Sequence, residues 1–326
     1  MAVAARVDPK DYFTPEEWAP LAKRSAWIGI ALVVHCWAVI GVCWAGVIAA
    51  VHCFGPVGLL GLIVAVPVIG GRQLGLGILQ HDAAHGALHP DPKVGDFLSD
   101  VFCVSGVERY RKYHLQHHKF AQQAEDPDLG LSAPFPITRE SLRRKIVRDL
   151  TGQTWFKQRF GDFQKKLKAR KPGEPLAPLV WSEIVKQRRW LLVNAAVILI
   201  TSLMGVWWAW FLLWLLPRAT WQMMITRFRN IAEHALVAKN EPDPLRHARS
   251  THANWFERII IAPYWVNYHC EHHMFMHVPC WNLPKAQRLL REKGVLPNML
   301  TAPGYLSVLK AASSKPVSRS PSTLAA

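Results

Sequence analysis

The chain has 326 residues, 50% of them hydrophobic, with 15 tryptophans and a formal net charge of +16. That length suits one large domain, and the lysines and arginines flank apolar blocks, where anionic lipid head groups account for them better than nucleic acid does. Six cysteines (Cys36, Cys43, Cys53, Cys103, Cys270 and Cys280) show no CxxC spacing, which argues against a zinc ribbon or a disulfide framework.

Residues 1–25 read as a cytosolic or interfacial arm, with Thr14, Pro15 and Glu17 forming a capping box. From Ala26 to about Ala50 there is no acid, lysine or arginine. About 25 helical residues reach roughly 37 Å, enough for the ~30 Å hydrocarbon core. The block reads as a membrane span rather than a cleaved leader, whose apolar core is about 7–15 residues. Further apolar blocks cover about 57–79, 190–203 and 206–225, the last two joined near Gly205.

The cytosolic segments are then 80–189 and 226–310, within a membrane domain of 26–310, and both termini lie inside by the positive-inside rule. The fold class expected is an all-α integral membrane protein: four transmembrane helices in two hairpins, with a helical cytosolic cap. Between the hairpins lie a short apolar piece, Phe97–Val107, and basic stretches of helical spacing, SLRRKIVRDL and FQKKLKARK. A helix starts at Thr138 or Ser141, and Lys171–Pro178 is a linker. WFERIIIAPYWVNY is too short to span and belongs at the interface or beneath the cap. Residues 311–326 are expected to be a disordered tail.

Four histidine clusters follow this plan. HDAAH puts His81 and His85 on one helical face directly after the second span, and His89 extends the row. HLQHH sets His114 against His117 and His118, and HCEHH repeats the pattern with His269, His272 and His273. RNIAEH places Asn230 and His234 four apart after the fourth span. One HxxxH is commonly solvated surface histidine. Eight or nine candidates are too many for one tetrahedral zinc and suggest two metals. Asp82, Glu233, Glu271 and the acids of EDPD (Glu125, Asp126, Asp128) suit a supporting layer that accepts ring N–H groups, and Glu271 could itself ligate.

HDAAH, HLQHH and HCEHH, in that order and with spans between, resemble the membrane fatty acid desaturase and hydroxylase superfamily. LSAPFPITRESLRRKIVRDLTGQT, RNIAEH and NYHCEHHMFMHVPCWNLP look like its rhizobitoxine-type desaturase branch. The resemblance covers roughly Ala26–Leu309. It implies two non-haem irons, O2 as co-substrate and an acyl chain in a kinked internal tunnel. It also implies ligands at His81, His85, His114, His117, His118, His234, His269, His272 and His273, with Asn230 reaching metal through water. The first box departs from the HxxxxH of acyl-CoA desaturases, which leaves the acyl carrier open. His35, His52, His89, His247, His252 and His277 fall outside the boxes.

Arg72 and Arg218 lie inside apolar blocks, where a charge snorkels to head groups or holds an anionic substrate group. Pro217 is expected to kink the fourth span, and Trp207, Trp208 and Trp210 to form an aromatic belt. The expected activity is O2-dependent desaturation of an acyl chain. Electrons come from an external carrier (ferredoxin, rubredoxin or a cytochrome b5-type protein), since no flavin, nicotinamide or haem motif is present. The alternatives are a lipid or carotenoid hydroxylase or ketolase and, more remotely, a membrane metal transporter or a zinc hydrolase.

Overall fold

The computed structural model describes residues 6–103, 106–132 and 134–316. The arm carries α1 (Pro15–Ala22), which starts with the expected capping box: Glu17 N–H donates to Thr14, and Thr14 N–H to the Glu17 carboxylate. Two long helices follow, α2 (Ala26–Phe54) and α3 (Leu62–Ala84), and they pack against each other. The reversal needs glycine twice. Gly55 has φ +59°, and a Cβ on Gly58 would sit 2.3 Å from the Ala50 carbonyl carbon.

The first half of α3 is apolar and exposed, as at Ile63 and Val64. From Ile69 to Ala84 nearly every residue is buried, including Arg72, Gln73, Gln80, His81 and Asp82. Helix α3 is therefore the axis of the molecule. Its glycines allow close approach: a Cβ on Gly71 would lie 2.6 Å from the Ile259 carbonyl oxygen.

The cap begins with α4 (Pro92–Phe102) and α5 (Val107–Lys119), followed by the single turn α6 (Leu129–Ser132). Next come α7 (Arg139–Leu150), started by Thr138 as expected, and α8 (Gln153–Lys168). The second hairpin departs from the sequence expectation. Its first arm, α9 (Ala177–Leu203), carries Glu183, Lys186, Arg188 and Arg189 in its N-terminal half. Its second arm is a π-helical stretch, Trp210–Leu215, then α10 (Leu216–Ala219), then a break at Thr220 (φ −117°, ψ −81°) before α11 (Trp221–His234). Among the described residues, Ala26–Ala84 is the helical stretch long and apolar enough to cross a membrane. The second hairpin does not match it, because one arm is charged and the other is broken.

Pro217 opens the turn before that break. Pro217 has no N–H, so the Leu213 carbonyl loses its helical donor. Trp44 Nε1 donates to that carbonyl instead at 3.0 Å, and Gln73 Nε2 donates to the adjacent Trp214 carbonyl at 2.9 Å. Polar groups on the first hairpin thus satisfy backbone that the second leaves open, as an apolar surround requires.

Beyond α11, Ser250–Thr251 (β1) pairs in parallel with Thr301–Ala302 (β2). Between them lie α12 (Trp255–Ile260), α13 (His269–Met274) and α14 (Leu283–Glu292), and α15 (Tyr305–Ala312) follows. In α12, Trp255 and Phe256 are exposed and Ile260 is buried, the two-faced pattern of an interfacial helix. The start of the tail is ordered: Ala312 is buried, and Lys315 N–H donates to the Ile137 carbonyl at 3.1 Å. Residues 317–326 of the expected tail lie outside the described residues.

Cap and second hairpin are joined by a buried fork. Arg227 on α11 donates to both oxygens of Asp149 on α7, at 2.5 and 2.8 Å, and Asp149 is fully buried. Asp149→Ala strands the guanidinium, a loss of about 3–5 kcal/mol. Thermal unfolding of the purified protein should register that loss, whereas Arg144→Ala, which breaks an exposed pair with Glu140, should change the midpoint little.

Candidate metal centre

Each histidine cluster sits at a helix end or on a short helix pressed against α3. His81 lies in the last turn of α3 and His85 is its C-cap residue. Gly86 (φ +64°) ends the helix there, so His89 does not extend the row; its Nδ1 accepts from Asp91 N–H at 3.0 Å. HLQHH forms the last turn and a half of α5, HCEHH most of α13, and His234 is the last residue of α11.

Arg111, which sequence reasoning passed over, fixes the first two clusters together. From α5 it donates to the Ala84 and Ala83 carbonyls at the C-terminus of α3, each at 3.0 Å, while pairing with Asp96. A cation at a helix C-terminus satisfies orphan carbonyls and complements the dipole. The third cluster is tied to α3 by Asp82, which accepts from Cys280 N–H at 2.9 Å, and by His277 Nδ1, 3.2 Å from the His85 carbonyl.

Nine histidines gather into two groups. His81, His85, His114, His118 and His272 form one, and His117, His234, His269 and His273 the other. Within each group the candidate donor atoms all lie within 4.8 Å of one another. The division follows helical geometry. In each HxxHH the pair four apart points to one group and the remaining histidine, turned about 100° away, to the other. HLQHH gives its pair to the five-membered group, and HCEHH gives its pair to the four-membered group. The two motifs therefore cross-link the groups, with His118 and His273 rings 4.3 Å apart.

The donor set fits metal. Nε2 of His118 stands 3.0 Å from Nε2 of both His114 and His272, and Nε2 of His234 stands 2.9 Å from that of His269. Two nitrogens each about 2.1 Å from one ion are separated by about 3.0–3.4 Å at right-angled to tetrahedral geometry. Both ring nitrogens of His81 and of His85 are buried without a hydrogen-bond partner. Orphaned groups of this kind cost about 1–3 kcal/mol each unless something binds them. Desolvation, then the neighbouring imidazoles, pushes His85, His114, His118, His272 and His273 well below the ordinary histidine pKa. Neutral imidazole is the form that ligates.

His117 is the exception. Burial alone would lower its pKa, but the hydrogen bond from its Nδ1 to Asp126, 2.8 Å long, outweighs that and raises it. Asp126 is itself held by the Gln122 and Asp128 N–H groups at 2.9 and 2.8 Å. The EDPD turn thus orients one ring, as expected of Asp126. Asp128 accepts from Tyr113 and comes within 3.8 Å of His117. Glu233 is bound by Arg229 at 3.0 Å and lies 3.6 Å from His269 Nε2; burial pushes it up to about 7 against the pull of Arg229.

Other expected members serve elsewhere. Glu271 accepts from Ser250 and from Gln287 (2.8 Å), joining α13 to β1 and α14 rather than supporting a histidine or ligating. Asp82 holds the Cys280 loop and is 3.6 Å from His81 Nδ1. Asn230 is half-buried one turn before His234, and its side chain makes no hydrogen bond among the described residues. Arg72 neither snorkels nor lies open to substrate: it is buried, donating from Nη2 to the Arg258 and Ile259 carbonyls at 3.1 and 2.8 Å, with its guanidinium 5.3 Å from the Tyr264 ring centre. Arg218 lines a cavity next to α5. His35 binds Tyr264 at 3.0 Å, away from both groups.

This geometry predicts graded losses of metal. His272→Ala removes a member of the five-histidine group and should abolish one ion's worth of binding in elemental analysis. Asp126→Asn removes only the support of His117 and should weaken metal retention about 10- to 100-fold in chelator competition.

Comparison with known proteins agrees with this centre. The chain is 25% identical over 263 residues to dihydrorhizobitoxine desaturase of Bradyrhizobium elkanii, covering 75% of this chain and 69% of that protein. It is 25% identical over 221 residues to the beta-carotene ketolase of Paracoccus sp. strain PC1, covering 66% of this chain and 74% of the ketolase. A second Paracoccus beta-carotene ketolase, from strain N81106, is 23% identical over 220 residues. The model of the fatty acid desaturase family matches residues 56–300, which take in all four histidine clusters, and the chain belongs to that family.

Proposed function

We propose that this protein is an O2-dependent di-iron oxidoreductase of the membrane that introduces a double bond into the acyl chain of a lipid. The observation that carries this reading is the pair of adjoining histidine groups, five and four imidazoles, buried at the end of an apolar helical hairpin. The nine histidines would hold two irons, which when bound supply O2 activation and removal of hydrogen from an unactivated C–H bond. The chain's own part is positional. Arg111 and Asp82 lock α5 and the Cys280 loop against α3, Asp126 sets the His117 ring, and the cap keeps bulk water from the imidazoles.

The topology that goes with this reading has four spans in two hairpins, the second bent at Thr220, with the cap and both termini in the cytosol. The exposed apolar residues Leu192, Leu199, Ile200 and Leu203 on the second half of α9 support lipid contact there. Electrons would come from an acidic carrier of the ferredoxin, rubredoxin or cytochrome b5 type. The basic surface of α7, which carries Arg143, Arg144 and Arg148, is suited to steer it.

A second reading, hydroxylation or ketone formation on a lipid or carotenoid, is favoured by the beta-carotene ketolases among the relatives. The two share the first hydrogen removal and part afterwards. Mass spectrometry of lipids from a host co-expressing the protein with an electron donor separates them: loss of two hydrogens marks desaturation, and gain of an oxygen marks the alternative. Elemental analysis should find two irons per chain; one zinc and no iron would reject both.

A further inference from the structure

A cavity of about 830 Å³ opens between α5, α8, α9 and α10. Seven lysines and arginines and two acids line it. Both acids are already engaged: Asp100 by Arg189 at 3.0 Å and by Val107 N–H, Glu108 by Arg111 and Lys112. Arg109 and Arg218 pair with no carboxylate among the described residues. Arg218 is the more telling. It comes from the broken arm of the second hairpin, an apolar block where an uncompensated charge is costly.

Arg159, from α8, stands beside it, and the two guanidinium groups lie within electrostatic reach of each other. Arg159 is fixed in place: its guanidinium carbon is 4.7 Å from the Trp190 ring centre, and Nη1 donates to Gln187 at 3.4 Å. Glu183, the acid nearest Arg159, is already engaged by Gln187 and by Lys186 at 3.8 Å, so two neighbouring arginines left without a carboxylate partner of their own make a seat for an anion. The seat is close to the histidines. Tyr110 forms part of the cavity wall, and its ring stacks on His114 with centroids 5.3 Å apart and planes 6° from parallel. A smaller apolar cavity of about 180 Å³, sharing Gln187 and Trp190, adjoins it between Phe160, Phe163 and Ile184.

We infer that this cavity binds the anionic end, a carboxylate or a phosphate, of the molecule oxidised at the histidine centre, with Arg218 and Arg159 as the residues that grip it. Oxidation of that molecule rests on the oxidoreductase reading; the anion seat itself does not. Titration calorimetry on the full-length protein in neutral phosphatidylcholine nanodiscs, with octanoate, octyl phosphate and octanol as probes, tests it. At least one anionic probe should bind more tightly than octanol, and Arg218→Gln and Arg159→Gln should each weaken it about 10-fold or more, as loss of a charge-assisted hydrogen bond does. Arg218→Lys should recover part of the binding, and Lys285→Gln, exposed on α14 and outside the cavity, should leave it unchanged. A preference for octanoate identifies a free acid, and a preference for octyl phosphate a phosphate-bearing carrier or head group; either supports the site. Octanol binding as tightly as both anions, or anion binding within twofold of the parent in both glutamine variants, overturns it. Iron measured on the same samples keeps the two ideas apart, since anion binding without iron would reject only the oxidoreductase reading.

Discussion

Nine imidazoles crowded into two touching groups, most of them stripped of water, are an arrangement that ordinary packing would not tolerate. Several ring nitrogens face one another at about hydrogen-bonding distance, and both nitrogens of His81 and of His85 are buried with no hydrogen-bond partner among the described residues. The rest of the molecule is organised around holding that cluster in place. Bound cations would relieve its cost, and burial keeps the rings in the neutral form that cations need.

Helix α3 carries most of that burden. Its outer half faces outward as apolar surface, while its inner half is buried and carries polar side chains, three of which bond to other elements. Gln73 donates to the Trp214 carbonyl in the broken arm, Arg72 clamps the carbonyls at the end of α12, and Asp82 holds the loop that leads out of HCEHH. Charges this deep are expensive unless hydrogen-bonded, so the same contacts that make α3 stable also fix where the first histidine cluster points. The irregular second hairpin follows from the same logic: its π-helical stretch and break deliver α11, and with it His234, to the four-membered group.

The centre explains how the chain can share a family with both a desaturase and carotenoid ketolases. On the proposed reading, removal of hydrogen from carbon would depend on the histidine groups, whereas the choice of substrate would depend on what surrounds them. In this protein the surroundings include a basic cavity one aromatic ring away from His114, so on the proposed reading selection by charge would lie beside, but apart from, the histidine groups.

Much of this was written in local pattern. The two long helices, the caps at Thr14 and Thr138, and the nine histidines are visible because spacing, hydropathy and capping chemistry act over a few residues. The acids were harder to assign: Asp126 does support a histidine, but Glu271, inside HCEHH itself, turns to Ser250 and Gln287. Sequence placed it beside the rings, and only the path of β1 and α14 decided its partner. Arg72 and Arg218 looked alike as charges in apolar blocks, yet one meets two carbonyls of α12 and the other opens on a cavity. The sequence by itself determined which side chains can bind metal and which helices carry them, because those depend on residue type and helical period. Only the tertiary structure decided how the imidazoles divide into five and four, because that depends on where helices distant in the chain cross.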